Sequence, residues 1–193
     1  MDLEIINNNL KRMLSQKRMN HSINVADCAV KLSEIYGYNK EKAYIAGIVH
    51  DCAKCLNESE VNYYINKYKI QLDELEIGNL ALSHSTIGAY IVKNEFNIED
   101  EEIVNAVKYH TTGKQDMTLI EKIIYMADLI EVDRDFPFVN ELRELCFGKK
   151  LDEALLTSFN NTIKFVIDNE QIVHPRTVEA RNYLMKQKAL VRE

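Results

Sequence analysis

The chain contains few residues that interrupt regular structure: its 193 residues include only 6 glycines and 2 prolines. This scarcity argues against a turn-rich all-β fold and favours helices with short connections. No stretch approaches the roughly 20 consecutive apolar residues that a membrane-spanning helix requires, so we expect no membrane partner. The segment from Met1 to Lys11 is polar and acidic, and it lacks the basic and apolar parts of a secretion signal. We therefore expect a cytoplasmic protein.

Positive charge is in the minority, because 24 Lys and Arg against 30 Asp and Glu give a formal net charge of −6. A broad surface for nucleic acid or anionic membrane needs a basic excess, so neither partner is expected. Metal ions and a few basic side chains can still reverse the sign locally and let an acidic enzyme bind phosphates. The length suits one sizeable core, and no repeat or long linker marks a second domain. We predict a single domain over 1–193.

Cysteine is also scarce, and the four thiols are Cys28, Cys52, Cys55 and Cys146. In the cytoplasm we expect them to stay reduced. Cys52 and Cys55 form a C-x-x-C pattern, which would fit a redox or zinc motif. No second pair accompanies it, and it lies within a helical pattern. We favour the interpretation that these are two small, half-buried helix residues.

Apolar residues recur at helical spacing along most of the chain, which predicts an all-α fold. The small residues Ala46 and Gly47 should allow another helix to approach closely. Asn39 is expected to cap the third helix, which is predicted to run through Lys54. Asp116 or Thr118 is expected to cap the helix that carries Asp128. The other predicted helices cover about 2–15, 17–36, 58–68, 80–91, 99–110, 138–147, 151–168 and 177–189.

Histidines and aspartates interrupt these apolar patterns. The ordered set is His21, His50, Asp51, His84, His110 and Asp128. A lone histidine on an apolar helix face is more often a hydrogen-bonded core residue than a metal ligand. Burying six ionisable groups without a shared counterion, however, would cost several kcal/mol for each group. The set therefore predicts a metal site.

Imidazole and carboxylate ligands without thiolates suit iron, manganese, zinc or nickel. Six ligands are too many for one metal with an open position, but they match two metals that share one carboxylate. Two metals about 3.5–4 Å apart lower the pKa of a shared water and clamp the oxygens of a phosphoryl displacement. The predicted reaction is hydrolysis of a phosphate ester or anhydride. We assign one metal to His21, His50 and Asp128, a second metal to His84 and His110, and the bridge to Asp51.

Phosphoryl transfer also needs cations where negative charge builds up. Lys54 follows His50 by four residues, so in a continuous helix the two side chains would share a face; the alternative is a solvent-facing lysine. Arg134, Arg176 and Arg181 are weaker candidates, because each could equally form a surface ion pair.

Two further segments bear on phosphate or metal binding. The loop Thr111-Thr112-Gly113 could present hydroxyls and backbone N–H groups to a phosphate. His174 precedes Pro175 in an expected loop and is interpreted as a residue that does not bind metal.

The ordered histidines and aspartates resemble the HD superfamily of metal-dependent phosphohydrolases, in its variant with two additional histidines and two metals. That resemblance covers about 17–134. A closer resemblance, to the bacterial YqeK family, spans nearly the whole chain. It depends on His50-Asp51-Cys52-Ala53-Lys54, His110-Thr111-Thr112-Gly113, Tyr125-Met126-Ala127-Asp128, Arg134-Asp135-Phe136-Pro137 and His174-Pro175-Arg176-Thr177 through Arg181-Asn182-Tyr183.

The resemblance implies a helical HD-domain bundle whose metal site lies between central helices. The metal-binding core would cover about 17–134, with the C-terminal helices of 138–190 packed on it. It also implies symmetrical hydrolysis of diadenosine tetraphosphate to two ADP at a di-iron centre. Asp51 and Lys54 would be catalytic, and the phosphates would contact Lys54, Thr111, Arg134 and Arg176.

Three alternatives stay open. A nucleotidase acting on nucleoside monophosphates would release inorganic phosphate. A di-iron oxygenase would consume oxygen. A nucleotide-sensing module that keeps its metals for structure would bind nucleotide without turnover. A homodimer is an additional hypothesis that no residue pattern supports.

Overall fold

The computed structural model describes residues 3–190, and all regular structure in that range is helical. The all-α prediction is confirmed. Asp2, which the first predicted helix includes, lies outside the described residues. The helices are α1 (Leu3–Met13), α2 (Gln16–Tyr36), α3 (Lys40–Val49), α4 (Glu58–Tyr68), α5 (Leu80–Asn94), α6 (Glu101–Tyr109), α7 (Leu119–Ile130), α8 (Val139–Phe147), α9 (Leu151–Asp168) and α10 (Pro175–Leu190).

Capping side chains set where several helices begin. The Asn39 side chain accepts a hydrogen bond from the Lys42 N–H at 3.0 Å, as its predicted role at the start of α3 requires. Thr118, rather than Asp116, caps α7, and it forms a capping box with Glu121. Such side chains satisfy N–H groups that the first helical turn leaves unpaired.

The predicted end of the third helix is wrong, because α3 ends at Val49 instead of continuing through Lys54. The Nδ1 of His50 lies 2.7 Å from the Gly47 carbonyl, which a longer helix would offer to the N–H of Asp51. Beyond His50 the chain continues in tight turns, with Lys54 N–H donating to the Asp51 carbonyl at 2.9 Å. The C-x-x-C pattern lies in these turns and not in a helix.

Several other helices differ from their predicted extents by one to three residues. The predicted 99–110 helix is shorter and begins after Asp100, whose side chain accepts from the Glu102 N–H at 3.0 Å. The last helix begins earlier, at Pro175, because a proline at the first helical position loses no helical hydrogen bond there.

The core is built around α7, which packs against α2, α3, α6, α8 and α9. Its predicted apolar face is buried, with Ile120, Ile123 and Ile124 fully enclosed. α2 and α3 approach closely at Gly47, where an added Cβ would lie 2.7 Å from the Ala26 Cα. α10 packs on α9, at the C-terminal side of the bundle. Within the described range, every helix is too short or too polar to cross a membrane.

Candidate metal centre

All six residues predicted as metal ligands converge between the central helices. Ligand atoms of three overlapping groups among them lie within 4.8 Å of one another in each group. His50 and His110 are the C-cap residues that directly follow α3 and α6, so the ends of these helices position the two rings. His21 lies on α2, and His50 and Asp51 directly follow α3. His84 lies on α5, His110 directly follows α6, and Asp128 lies on α7.

Asp51 lies between two pairs of histidines. Its Oδ2 is 3.8 Å from the Nε2 of His21 and 3.7 Å from that of His50. Its Oδ1 is 3.1 Å from the Nε2 of His84 and 3.5 Å from that of His110. Each carboxylate oxygen therefore faces a different pair, which is the arrangement that a bridging ligand needs.

Asp128 lies nearer to His21 and His50 than to His110, whose ligand atom is within 4.8 Å of it. Its Oδ1 is 3.0 Å from the Nε2 of His21 and 3.8 Å from that of His50. The shortest contacts thus group Asp128 with His21 and His50, and His84 with His110. The assignment of these residues to two separate metals stays a prediction.

The Nδ1 atom of every clustered histidine has an acceptor outside the cluster. These acceptors leave each Nε2 as the nitrogen with a free lone pair, and they fix the orientation of each ring. The pairs are His21 with Glu131 Oε1 at 3.1 Å, His50 with Gly47 O at 2.7 Å, His84 with Leu80 O at 3.0 Å and His110 with Val107 O at 2.7 Å.

Two of these Nε2 atoms are buried without a hydrogen bond to any described residue, those of His21 and His50. The 3.0 Å contact between His21 Nε2 and Asp128 is not aligned as a hydrogen bond. Buried polar atoms are rarely left unpaired, and a metal ion would satisfy both. The donor set of imidazoles and carboxylates therefore fits a divalent cation.

The electrostatics of the cluster also favour bound positive charge. Burial works to raise the pKa of Asp51, but His50, His110 and His84 outweigh it and hold that pKa well below its usual range. Burial lowers the pKa of His50 to about 4, so this ring is neutral near pH 7. Burial works to lower the pKa of His21, but Asp128 and Glu131 outweigh it and raise that pKa.

Three basic side chains surround the cluster. Arg18 Nη1 lies 2.9 Å from Asp51 Oδ2, and Arg134 Nη2 lies 2.5 Å from Asp128 Oδ1. Lys54 Nζ lies 3.1 Å from the Nε2 of His84. Lys54 therefore reaches the cluster from the turns after α3, and the predicted route along a helical face shared with His50 is wrong because the helix ends before it.

Thr111 and Arg134 are brought to the cluster, whereas Arg176 is paired elsewhere. The Thr111 hydroxyl lies 3.3 Å from the Nε2 of both His84 and His110. Arg176 binds two carboxylates, Asp73 Oδ2 at 2.9 Å and Glu76 Oε1 at 3.0 Å. Its predicted phosphate contact stays a prediction.

The remaining late-chain candidates also make contacts away from the cluster. Arg181 donates to the Asn160 side chain at 3.0 Å. The Nε2 of His174 lies 3.0 Å from Asp73 Oδ2. No described contact of either residue reaches the six converging side chains.

Sequence reasoning missed two residues at the cluster, Arg18 and Glu131. Arg18 precedes His21 by three residues on α2, a spacing that puts both on one helix face, so the signal was present. Glu131 is buried, with 3% of its side chain exposed, and it binds the Nδ1 of His21. Its position three residues after Asp128, just beyond α7, gave a weaker signal.

Several known proteins are similar to this chain, and they indicate the same family. Residues 18–133 match the HD domain. The chain is 39% identical over 176 residues to the Bacillus subtilis protein named "Bis(5′-nucleosyl)-tetraphosphatase, symmetrical", covering 91% of this chain and 94% of that protein. A Staphylococcus aureus protein of the same name is 36% identical over 184 residues, covering 95% and 94%.

A solved structure gives the same result at the level of the fold. A crystal structure from Clostridium acetobutylicum, described as a predicted HD superfamily hydrolase involved in NAD metabolism, is 44% identical, with a TM-score of 0.91. The match covers 97% of this chain and 98% of that one. Together with the histidine and aspartate cluster, the HD domain indicates a site for divalent metal. The chain belongs to the HD domain family, and within it to the group that contains the two tetraphosphatases, as its sequence resemblance predicted.

Proposed function

We propose that the protein hydrolyses diadenosine tetraphosphate at its central phosphoanhydride and releases two ADP. The names of the Bacillus and Staphylococcus relatives support the substrate and the symmetry of the cut. The observation that carries the proposal is the position of Asp51, whose two oxygens face two different pairs of histidines. The two halves of the cluster would hold two divalent cations, with iron as the first choice and manganese, zinc or nickel as alternatives.

Two bound divalent cations would lower the pKa of a water molecule and offset charge on the phosphoryl oxygens. The four acceptors that pair with the Nδ1 atoms fix the orientation of the histidine rings, and so keep the four Nε2 lone pairs in place. The buried Asp51, with 3% of its side chain exposed, divides the two halves. We therefore expect metal removal to disturb both halves of the cluster.

The basic side chains are distributed in a way that suits cleavage at the middle of a tetraphosphate. Arg18 contacts Asp51 and Arg134 contacts Asp128, and both arginine side chains are 34% exposed. Lys54 and Thr111 lie at the side of His84. A central cut leaves two phosphates on each side, so donors on both sides can stabilise the developing charge. Arg176 could join them only after leaving Asp73 and Glu76.

Product analysis tests this function directly. Metal-loaded protein is incubated with diadenosine tetraphosphate, and the nucleotides are resolved by anion-exchange chromatography. Asp51→Asn removes the bridging charge with little change in shape, and Asp168→Asn, at an exposed position on α9, is the matched control. We expect two ADP from wild type and Asp168→Asn, and loss of turnover in Asp51→Asn.

Other outcomes would overturn the proposal. ATP plus AMP would keep phosphoanhydride hydrolysis but contradict a central cut. Inorganic phosphate released from nucleoside monophosphates would favour the nucleotidase, and nucleotide binding without turnover would favour the sensing module. We also propose a cytoplasmic location and a homodimer. Light scattering of the purified protein tests the homodimer.

A further inference from the structure

A groove of about 930 Å³ lies between α4, the segment 70–79 and the first turn of α5. The buried Leu56 and Ile70 contribute to its apolar lining, together with the half-buried Val61 and Ile65 of α4. None of the six clustered ligands is among the described residues that line it. The groove is therefore a separate space beside the candidate metal centre.

The groove lies next to the segments that carry Lys54 and His84. Leu80 and Ser83 line it, and they lie in the same turn of α5 as His84. The Leu80 carbonyl binds the Nδ1 of His84 at 3.0 Å. Leu56 follows Lys54 by two residues, and Lys54 Nζ is 3.1 Å from the Nε2 of His84. A molecule held near Lys54 would thus have the groove beside it.

The chemistry of the lining suits an uncharged heterocycle and not a phosphate chain. Among the described lining residues Glu58 is the one charged side chain, and it would repel phosphate. Asn62, Gln71 and Asn79 are exposed on the lining, and their side-chain amides make no hydrogen bond within residues 3–190. Such amides match the donor and acceptor edge of adenine, and apolar walls take its faces.

We propose that this groove is the subsite for one adenosine of the substrate. The base lies against the apolar lining and the amides, and the phosphate chain passes Lys54 to reach the metal centre. The volume lies within the range of about 300–1,000 Å³ that is usual for small-molecule sites. This assignment rests on the proposed function, because it is the phosphates at the metal centre that bring the base to the groove.

The absence of tryptophan from the chain allows a single fluorescent reporter. Ile77→Trp places it on the groove at a side chain that is 67% exposed, and Phe165→Trp, at a 64% exposed position on α9, is the matched control. Leu72→Trp is a second reporter on the lining, in case the indole at position 77 points away. Metal-loaded variants are titrated with ADP and, separately, with ribose 5-phosphate, which lacks a base.

We expect ADP to change the fluorescence of Ile77→Trp or Leu72→Trp with saturation, and ribose 5-phosphate to leave it unchanged. Phe165→Trp should respond to neither. In kinetics, the double variant Asn62→Ala/Gln71→Ala should raise the KM for diadenosine tetraphosphate roughly 10-fold with little change in kcat. An ADP response absent from both groove reporters, or an unchanged KM, would overturn the subsite.

The outcomes separate this inference from the proposed function. Cleavage to two ADP without any ADP response at either groove reporter would contradict the subsite alone. An ADP response without cleavage of diadenosine tetraphosphate would contradict the proposed function and retain the groove as an adenosine site.

Discussion

The Nε2 atoms of His84 and His110 face each other at 3.1 Å. The Nδ1 of each ring lies within hydrogen-bond distance of a backbone carbonyl, that of Leu80 and that of Val107. With both Nδ1 atoms donating, two lone pairs point at one another, and Asp51 Oδ1 adds a negative charge 3.1 Å from His84 Nε2. Three electron-rich atoms at such short separations are stabilised by a shared cation. We therefore expect bound metal to stabilise the folded protein as well as to support its activity.

Metal removal should lower the thermal stability of the protein. At a free metal concentration 100 times the Kd, binding adds about 2.7 kcal/mol to the free energy of unfolding. For a chain of this size we expect the Tm to rise by roughly 5–10 °C on metal loading. Differential scanning calorimetry with chelator and with added metal measures this change in Tm.

Two histidine variants give this prediction its control. His84→Ala should lose most of the metal-dependent rise in Tm. His174→Ala, in the separate cluster of His174 with Asp73 and Glu76, should keep it. A rise that depends on His174 and not on His84 would contradict the assigned site.

Arg18→Ala should weaken catalysis through loss of a phosphate contact. Arg18 holds Asp51 at 2.9 Å, and a metal bound to Asp51 would free the guanidinium for the substrate. Because a hydrogen bond to a charged group contributes about 1.5–3 kcal/mol, we expect kcat/KM to fall roughly 10- to 150-fold. Lys17→Ala, at the exposed neighbouring position, should change it little. Equal effects of the two variants in steady-state kinetics would remove Arg18 from the site.

Two glycine-to-alanine variants should have different effects on stability. At Gly47 the new Cβ would meet the Ala26 Cα at 2.7 Å, so the free energy of unfolding should fall by about 1–3 kcal/mol. At Gly88 the nearest atom, the Cys52 Sγ, is 3.4 Å away. Since alanine also has the higher helix propensity, Gly88→Ala should be neutral or more stable by up to about 1 kcal/mol. Urea unfolding measures both, and similar losses in the two variants would argue against the close approach of α2 and α3.

One thiol should react in the native protein. Cys55 is exposed, whereas Cys28, Cys52 and Cys146 are buried. Burial raises the pKa of Cys28 to about 12 and that of Cys146 to about 12. Burial raises the pKa of Cys52 further still. Because the thiolate is the reactive form, Ellman's reagent at pH 8 should titrate one thiol in native protein and four after denaturation. A Cys55→Ser variant that still reacts in the native state would contradict this exposure pattern.

The six histidines and aspartates stood out in the sequence because ionisable groups are expensive to bury singly. The histidines and aspartates stand within apolar helical patterns, so their types and order were enough to bring them together. The end of α3 was missed because it depends on a contact between the His50 ring and the Gly47 carbonyl, which spacing does not reveal. The partners of Arg176 were missed because Asp73 and Glu76 lie about 100 residues earlier in the chain.

Anomalous diffraction from crystals of manganese-loaded protein is the most direct test of the central claim, that Asp51 joins two metal sites. We expect two peaks about 3.5–4 Å apart, one beside His21, His50 and Asp128 and the other beside His84 and His110. Asp51 should lie between them. A single peak, or a peak at the cluster of Asp73, Glu76 and His174, would contradict the account.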